Sequence, residues 1–160
     1  MVRKFFDLLA KMGLSVRDDP PKVVDPSLYT FGEAREGLAV AVRQVPRSDP
    51  DALPTVSIVI RNVTQDQKSF VVPGWLNFYS LDVHLPDGST VPLTPFGRAL
   101  GNPERQKERL QVSLAPGALN ETEVPLGSIF SMSPRGKYTV LASCKPFEGV
   151  VLESNRIVIG

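Results

Sequence analysis

Short runs of strand-forming residues, separated by turn signals, follow one another along the chain from Gly37 to its end. The run over residues 55–63 is the clearest, because Val56, Ile58 and Ile60 share one face of an extended strand while the residues between them share the other. This alternation predicts a half-buried strand. Eight runs are predicted to be strands, over residues 38–45, 55–63, 76–85, 90–94, 110–114, 121–126, 136–143 and 155–160.

The connections between these runs indicate the fold class. Residues 86–89, Pro-Asp-Gly-Ser, predict a hairpin turn, since Asp-Gly supplies the positive φ that tight turns need. Residues 127–134 predict a short crossover of one helical turn, and three longer loops are predicted over 46–54, 65–75 and 95–109. Because no helical crossovers separate the strands, the pattern favours an all-β, antiparallel sandwich of about seven to nine strands.

The N-terminus has a different pattern. Phe5, Leu8, Leu9 and Met12 recur at helical spacing, which predicts a short amphipathic helix over residues 2–12. A helix of three turns is marginal alone, so it must pack against something. It docks either on the domain itself, on a partner, or on a membrane surface.

A linker separates this helix from the strands. Residues 17–27 combine three prolines with three aspartates, which leaves no room for a regular ladder. We therefore divide the chain into an N-terminal helix and linker, residues 1–37, and a β-sandwich domain, residues 38–160.

Composition excludes several classes of protein. The 160 residues carry 18 Lys+Arg against 17 Asp+Glu, so the formal net charge of +1 gives no electrostatic signature of a nucleic-acid-binding protein. One Cys and one His can form neither an internal disulfide nor the ligand set of a structural zinc site. No run approaches the roughly 20 apolar residues needed to span a bilayer.

Catalytic chemistry is not indicated by the remaining residues. Strand parity places Cys144 on the inner face of its strand and His84 on an outer face with Asp82, so a Cys–His pair is not expected to meet. Asp82 and His84 share a face about 7 Å apart, but two ligands make a poor metal site. The sequence contains no phosphate-binding loop, dinucleotide-binding or nucleophile-elbow motif. We therefore predict no enzyme activity, no cofactor and no metal site.

A basic cluster is the first candidate for partner contact. Arg98, Arg105, Lys107 and Arg109 lie in the predicted loop 95–109, where two glutamates interleave with them. They form either a solvated loop of mixed charge or a contact patch for a partner.

An aromatic segment is the second candidate. Phe70 and Trp75 flank a Pro-Gly pair in the predicted loop 65–75. Their rings belong either to the core or to an exposed apolar patch that anchors a partner.

Four segments resemble bacterial immunoglobulin-like β-sandwich domains. They are Ile-x-Ile-x-Asn-Val-Thr at 58–64, Val-His-Leu-Pro-Asp-Gly at 83–88, Leu-Ala-Pro-Gly at 114–117 and Pro-Arg-Gly-Lys-Tyr-Thr-Val at 134–140. Their order is also distantly similar to the intracellular proteinase inhibitor family of bacteria. The resemblance implies an immunoglobulin-like sandwich with Tyr138 buried on the penultimate strand, and it carries over no inhibitory residues.

Taken together, these features predict a non-catalytic binding or structural module. Loops at one end of the sandwich are expected to contact a protein or a glycan. The alternative is a proteinase inhibitor in which one of the loops enters a protease cleft.

The compartment depends on the start of the chain. Without a signal peptide, a natural start at Met1 predicts the cytoplasm, whereas a trimmed chain leaves export open. Asn62 and Asn120 begin Asn-x-Thr motifs, which matter only in a glycosylating secretory pathway.

Overall fold

A computed structural model describes residues 24–72, 78–100 and 109–160. The predicted helix over residues 2–12 lies outside the described residues, as does most of the predicted linker. The described residues contain nine strands: β1 Leu38–Gln44, β2 Thr55–Asn62, β3 Lys68–Val72, β4 Tyr79–His84, β5 Leu110–Leu114, β6 Leu119–Pro125, β7 Tyr138–Phe147, β8 Val150–Glu153 and β9 Ile157–Ile159. They also contain a 3-10 turn, Pro26–Leu28, and two short helices, α1 Pro95–Leu100 and α2 Leu126–Ile129.

The strands form three antiparallel sheets. The first has the order β1-β2-β6, and the second is the two-stranded ladder β3-β5. The third has the order β4-β7-β8, and β9 pairs with the same long strand β7. Strand β1 contacts β7, β8 and β9, and residues of the first and third sheets share one hydrophobic core cluster, so the two sheets pack against each other. The prediction of an all-β, antiparallel domain is confirmed, and the layout is consistent with a β-sandwich.

The core forms where the alternating faces of the two larger sheets meet. Val56, Ile58 and Ile60 of β2 are fully buried in one hydrophobic cluster with Val140 of β7 and Leu152 of β8. The inner face predicted for β2 is therefore confirmed. Burial of each such aliphatic side chain contributes about 1.5–3 kcal/mol relative to an exposed one.

The other face of β2 corrects the prediction of a half-buried strand. Ser57 and Val59 are also fully buried, because a segment before β1 lies across this face. Tyr29 of that segment forms a small second hydrophobic cluster with Ala41 and Val59. We call residues 24–35 the N-terminal strap. The strap includes the end of the predicted linker, where Val24 packs against this second cluster and residues 25–27 are exposed.

A tight turn joins the strap to β1. Arg35 and Leu38 exchange backbone hydrogen bonds of 2.9 and 3.0 Å, and the amide of Gly32 donates to the carbonyl of Val40 at 2.9 Å. The strap therefore satisfies part of the outer edge of β1. Further along this edge, the side-chain amide of Asn155 bonds both the N–H and the carbonyl of Val42, at 3.0 and 3.1 Å.

Other strand boundaries also differ from the prediction. Residues 68–72, placed in a loop by the sequence, form β3, and residues 150–153 form β8. Residues 90–94 were expected to be a strand but make only isolated bridges, through Thr90 and Leu93. The prediction of a strand over residues 90–94 was wrong because a proline interrupts this run. Strand β3 was not predicted because it is short and lies beside polar residues.

Two local predictions are confirmed. Leu85 receives a hydrogen bond from Gly88 and donates one to Ser89, both 2.9 Å, and Gly88 has a φ of 85° in this turn. The crossover after β6 contains the short helix α2, and its Ile129 and the following Phe130 are buried in the core.

Candidate binding surface

The described candidate contact residues lie on three different elements. Phe70 lies on β3, Arg98 on α1, and Arg109 directly before β5. Trp75, Arg105 and Lys107 lie outside the described residues. The sequence had placed all six in two loops.

Phe70 belongs to the core. Its ring is only 4% exposed and stacks on the ring of Phe78 at a centroid distance of 5.4 Å. Phe78 in turn meets Tyr79 edge to face at 4.8 Å. Of the two alternatives that the sequence left open for Phe70, the core is therefore correct and the exposed contact patch is wrong. Phe70 faces inward because residues 68–72 form a strand, which turns alternate side chains to opposite sides.

The end of the β3-β5 ladder brings the two candidate segments together. Val72 pairs with Leu110, so the chain leaves β3 and enters β5 at the same end of the ladder. The described part of the aromatic candidate segment ends at Val72, and Arg109 is the last residue of the basic one. The pairing of β3 with β5 therefore brings the described ends of both segments together, which the sequence alone did not indicate.

Aliphatic side chains are exposed at this end. Leu110 is 48% exposed and Val71 is 44% exposed, and Arg109 beside them is also exposed. Val71 shares the outer face of the ladder with Gln111, whereas Leu110 lies on the same face as Phe70. A two-stranded ladder is marginal alone, and here its inner face is anchored on the core by Phe70. We call Val71, Arg109 and Leu110 the ladder-end surface; it extends around the end of the ladder, because Val71 and Leu110 lie on opposite faces.

Arg98 is oriented by a hydrogen bond to the backbone. Its side chain is exposed, and Nη1 donates to the carbonyl of Leu93 at 2.7 Å. Thr94 fixes the start of the helix, because its Oγ1 accepts a hydrogen bond from the amide of Gly97 at 3.0 Å and donates to the carbonyl of Ser128 at 2.6 Å. Arg98 therefore stabilises the turn that precedes α1.

Two loops lie at opposite ends of the first sheet, the predicted loop 46–54 and a loop over 63–67 that contains the start of the predicted loop 65–75. Loop 46–54 precedes the start of β2, and loop 63–67 follows its end. The first loop is clamped by Arg47, whose Nη1 donates to the carbonyls of Ala52 and Pro134 at 2.8 and 2.9 Å. An ion pair of 3.0 Å between Arg135 and Asp51 links the same two segments. Because loops 46–54 and 63–67 lie at opposite ends of β2, one contact surface cannot include both.

The thiol and imidazole groups do not form a reactive pair. Cys144 is buried, and burial raises the pKa of its thiol to about 12. His84 pairs with Thr139 while Cys144 pairs with Tyr79, which separates the two by five residues of the ladder. At about 3.4 Å per residue this distance is about 17 Å. The expected parity of these two residues is confirmed.

Tyr79 is the partner of Cys144 across the ladder. Burial, followed by the charge that the neighbouring Cys144 carries when ionised, raises the pKa of this phenol above its usual range. A hydrogen bond with Thr122 acts in the opposite direction. The phenol is thus kept neutral and serves packing.

A cluster of polar side chains beneath the strap was not predicted from the sequence. The hydroxyl of Tyr29 lies 2.7 Å from Ser57 Oγ and donates to Glu121 Oε1 at 3.0 Å. Ser57 Oγ donates to the same carboxylate oxygen at 2.6 Å. The guanidinium of Arg43 lies 5.0 Å from the centre of the Tyr29 ring. This arrangement ties the strap to both β2 and β6 and buries the serine completely.

The described residues contain no group of three or more His, Cys, Asp or Glu side chains suited to hold a metal ion. Within the same residues, no helix has the length and apolar character needed to cross a membrane. No protein-family model matches the chain, and no curated protein shows significant sequence similarity to it.

Proposed function

We propose that the chain is a non-catalytic, immunoglobulin-like module that binds a protein partner through the ladder-end surface. The observation that carries the proposal is the pairing of Val72 with Leu110, which joins the two candidate contact segments beside exposed aliphatic side chains.

The strand order supports an immunoglobulin-like sandwich. In that fold the first, second, fourth and fifth strands share one sheet, while the third, sixth and seventh share the other. The first sheet here has the order β1-β2-β6, which matches the first, second and fifth strands, whereas β5, the strand before β6, pairs with β3. In the facing sheet, β4 pairs with one edge of β7. Strands β8 and β9 pair with successive parts of the other edge, as a single interrupted strand would.

Tyr138 supports the same proposal. It is the first residue of β7, its ring is buried, and its hydroxyl accepts a hydrogen bond from the amide of Ser133 at 2.7 Å. Immunoglobulin-like domains have a comparable tyrosine near the start of the penultimate strand, bonded to backbone a few residues upstream. In the described residues, β7 takes the place of that strand.

A protein is favoured over a glycan as the partner. Leu110 and Val71 offer aliphatic surface with an arginine beside it, and apolar contact with arginine at the rim is typical of protein interfaces. Sugar rings are commonly bound by stacked aromatic rings, and Phe70 is turned away into the core.

The test is affinity capture from an extract of the source organism with the intact full-length chain and a Val71→Ser, Leu110→Ser variant. The variant is expected to lose capture of the partner by at least about tenfold, because anchors in a binding site contribute about 2 kcal/mol or more. Val158→Ser is the matched control, since Val158 is 73% exposed on β9, in a different sheet. Equal capture by all three chains would contradict the proposed surface.

The proteinase inhibitor remains the second candidate, and loop 46–54 is the observation that favours it. The Arg47 clamp and the Arg135–Asp51 ion pair hold this loop in one conformation, with Leu53 exposed. Preorganised loops lose less conformational entropy on binding. An inhibition panel of serine, cysteine and metalloproteases tests this candidate, and Leu53→Asp should abolish any inhibition found.

A further inference from the structure

The turn between the strap and β1 holds a residue in an unfavourable conformation. Glu36 has a φ of 49° and Gly37 a φ of 80°, and positive φ at both central residues defines the type I′ hairpin turn. Glu36 is the one residue other than glycine with positive φ in the part of the chain that the structure describes. Asn, Asp and Gly suit this position, whereas a glutamate is strained there.

The surroundings keep the turn from relaxing in place. A Cβ on Gly37 would lie 2.3 Å from Thr64 Cγ2 and 2.7 Å from Lys68 Cε, so the backbone of the turn fits closely against these side chains. Arg35 and Leu38 also hold the turn closed through their two backbone hydrogen bonds. The strain on Glu36 is removed only when the turn opens.

The strap binds a site that is separate from the main core. Its Tyr29 packs on Ala41 and Val59 in a cluster of its own, and its hydroxyl bonds Ser57 and Glu121. None of these contacts depends on the strap and the sheet belonging to the same molecule. The strap of another copy presents the same side chains to the same site.

We infer that the outer face of the first sheet binds the strap of a second copy of this chain, giving an exchanged dimer in which the turn over residues 35–38 is open. Exchange of an identical element keeps the contacts of the strap with the sheet, breaks the two backbone hydrogen bonds between Arg35 and Leu38 in each copy, and removes the strain at both copies of Glu36. A second copy of the chain is the partner that fits this face, because it carries the same Tyr29 and the same turn, which opens when the straps are exchanged. This inference is independent of the ladder-end surface.

The test is sedimentation equilibrium of the full-length chain and two hinge variants, each refolded at a series of protein concentrations. Glu36→Gly removes the strain from the closed turn and is expected to lower the dimerisation constant by about tenfold or more. Glu36→Val increases the strain, because a β-branched residue is poorly tolerated at positive φ, and is expected to raise the constant. The dimer fraction should therefore rise in the order Gly, Glu, Val.

Two further variants separate exchange from other effects. Gly88→Val strains a turn with a φ of 85° that does not join the strap to the sheet, so the dimer fraction should not change. Tyr29→Ala removes the side chain that anchors the strap in the closed monomer and in the exchanged dimer alike, so the strap should leave the sheet and the dimer should be lost, whereas a dimer built on another surface would survive. The inference would be overturned if the unsubstituted chain and both Glu36 variants were monomers, or if the dimer fraction did not depend on the residue at position 36.

Discussion

The side chain of Asn62 organises one end of the domain, and its removal gives the sharpest stability prediction. Asn62 is fully buried at the end of β2, and Nδ2 donates to the carbonyls of Asp66 at 2.7 Å, Leu114 at 2.9 Å and Ala115 at 3.2 Å. Its Oδ1 accepts hydrogen bonds from the amide and the hydroxyl of Thr64, at 2.9 and 2.7 Å. One amide therefore links β2, the loop after it and the end of β5.

Asn62→Ala removes these five hydrogen bonds, although the hydroxyl of Thr64 still donates to the carbonyl of Asp66 at 3.0 Å. The carbonyl of Leu114 is bonded in a buried environment, and a buried group without a partner costs about 1–3 kcal/mol. Adding the smaller loss at the more exposed amide of Thr64 gives a decrease of about 3 kcal/mol in the free energy of unfolding. At this chain length the corresponding fall in Tm is about 6–12 °C.

Chemical denaturation followed by circular dichroism measures this change. Asn120→Ala is the matched control, because Asn120 begins the other Asn-x-Thr motif but is partly exposed, and it should cost less than about 1 kcal/mol. Asn62→Asp keeps the shape but directs a carboxylate at three carbonyls. Its stability should fall as the pH rises above about 3.9, since burial disfavours the ionised form. A cost below about 1 kcal/mol for Asn62→Ala would refute the reasoning.

Three further changes test the strap and the hairpin turn. Tyr29→Phe removes a hydroxyl that bonds two partners and should lower the free energy of unfolding by about 1–2 kcal/mol, measured by urea titration. Gly32→Ala should displace the strap, because an added Cβ would lie 1.9 Å from the carbonyl oxygen of Glu153; increased hydrogen exchange at the strap amides would show this. The hydrogen bonds from the hydroxyl and amide of Ser89 lower the pKa of Asp87, so this carboxylate should stabilise the turn above its unfolded pKa and lose that effect as the pH falls through the folded pKa. Ser89→Ala should raise the pKa of Asp87 in an NMR titration, and an unchanged value would contradict that cause.

The alternation of apolar residues was sufficient to predict the β class and much of the core. Val56, Ile58 and Ile60 were assigned to the inner face, and Cys144 was correctly separated from His84. These predictions depend on a period of two along single strands, which is local information. The Asp-Gly turn was predictable for the same reason.

The strap was not predictable from the same kind of pattern. Tyr29 follows a segment with several prolines, and nothing around it marks the ring as buried. Its burial depends on the outer face of β2, where Ser57 sits among apolar neighbours, and so on contacts between distant parts of the chain. Likewise, β3 is recognisable only through its pairing with β5.

The candidate surface was predictable only in part. The sequence identified the segments that contain Phe70 and Arg109, but it did not show that β3 and β5 pair. That pairing turned Phe70 into the core and left Val71 and Leu110 exposed. Side-chain direction depends on the register of a strand, which a loop assignment does not contain.

The most direct test of the central claim is site-specific photo-crosslinking in the source organism. A photoreactive residue is placed singly at Val71, at Leu110 and, as the control, at Val158. Binding through the ladder-end surface predicts that one protein is crosslinked from positions 71 and 110 and not from position 158. Crosslinking to no protein from positions 71 and 110, or to the same protein with equal yield from position 158, would contradict the account.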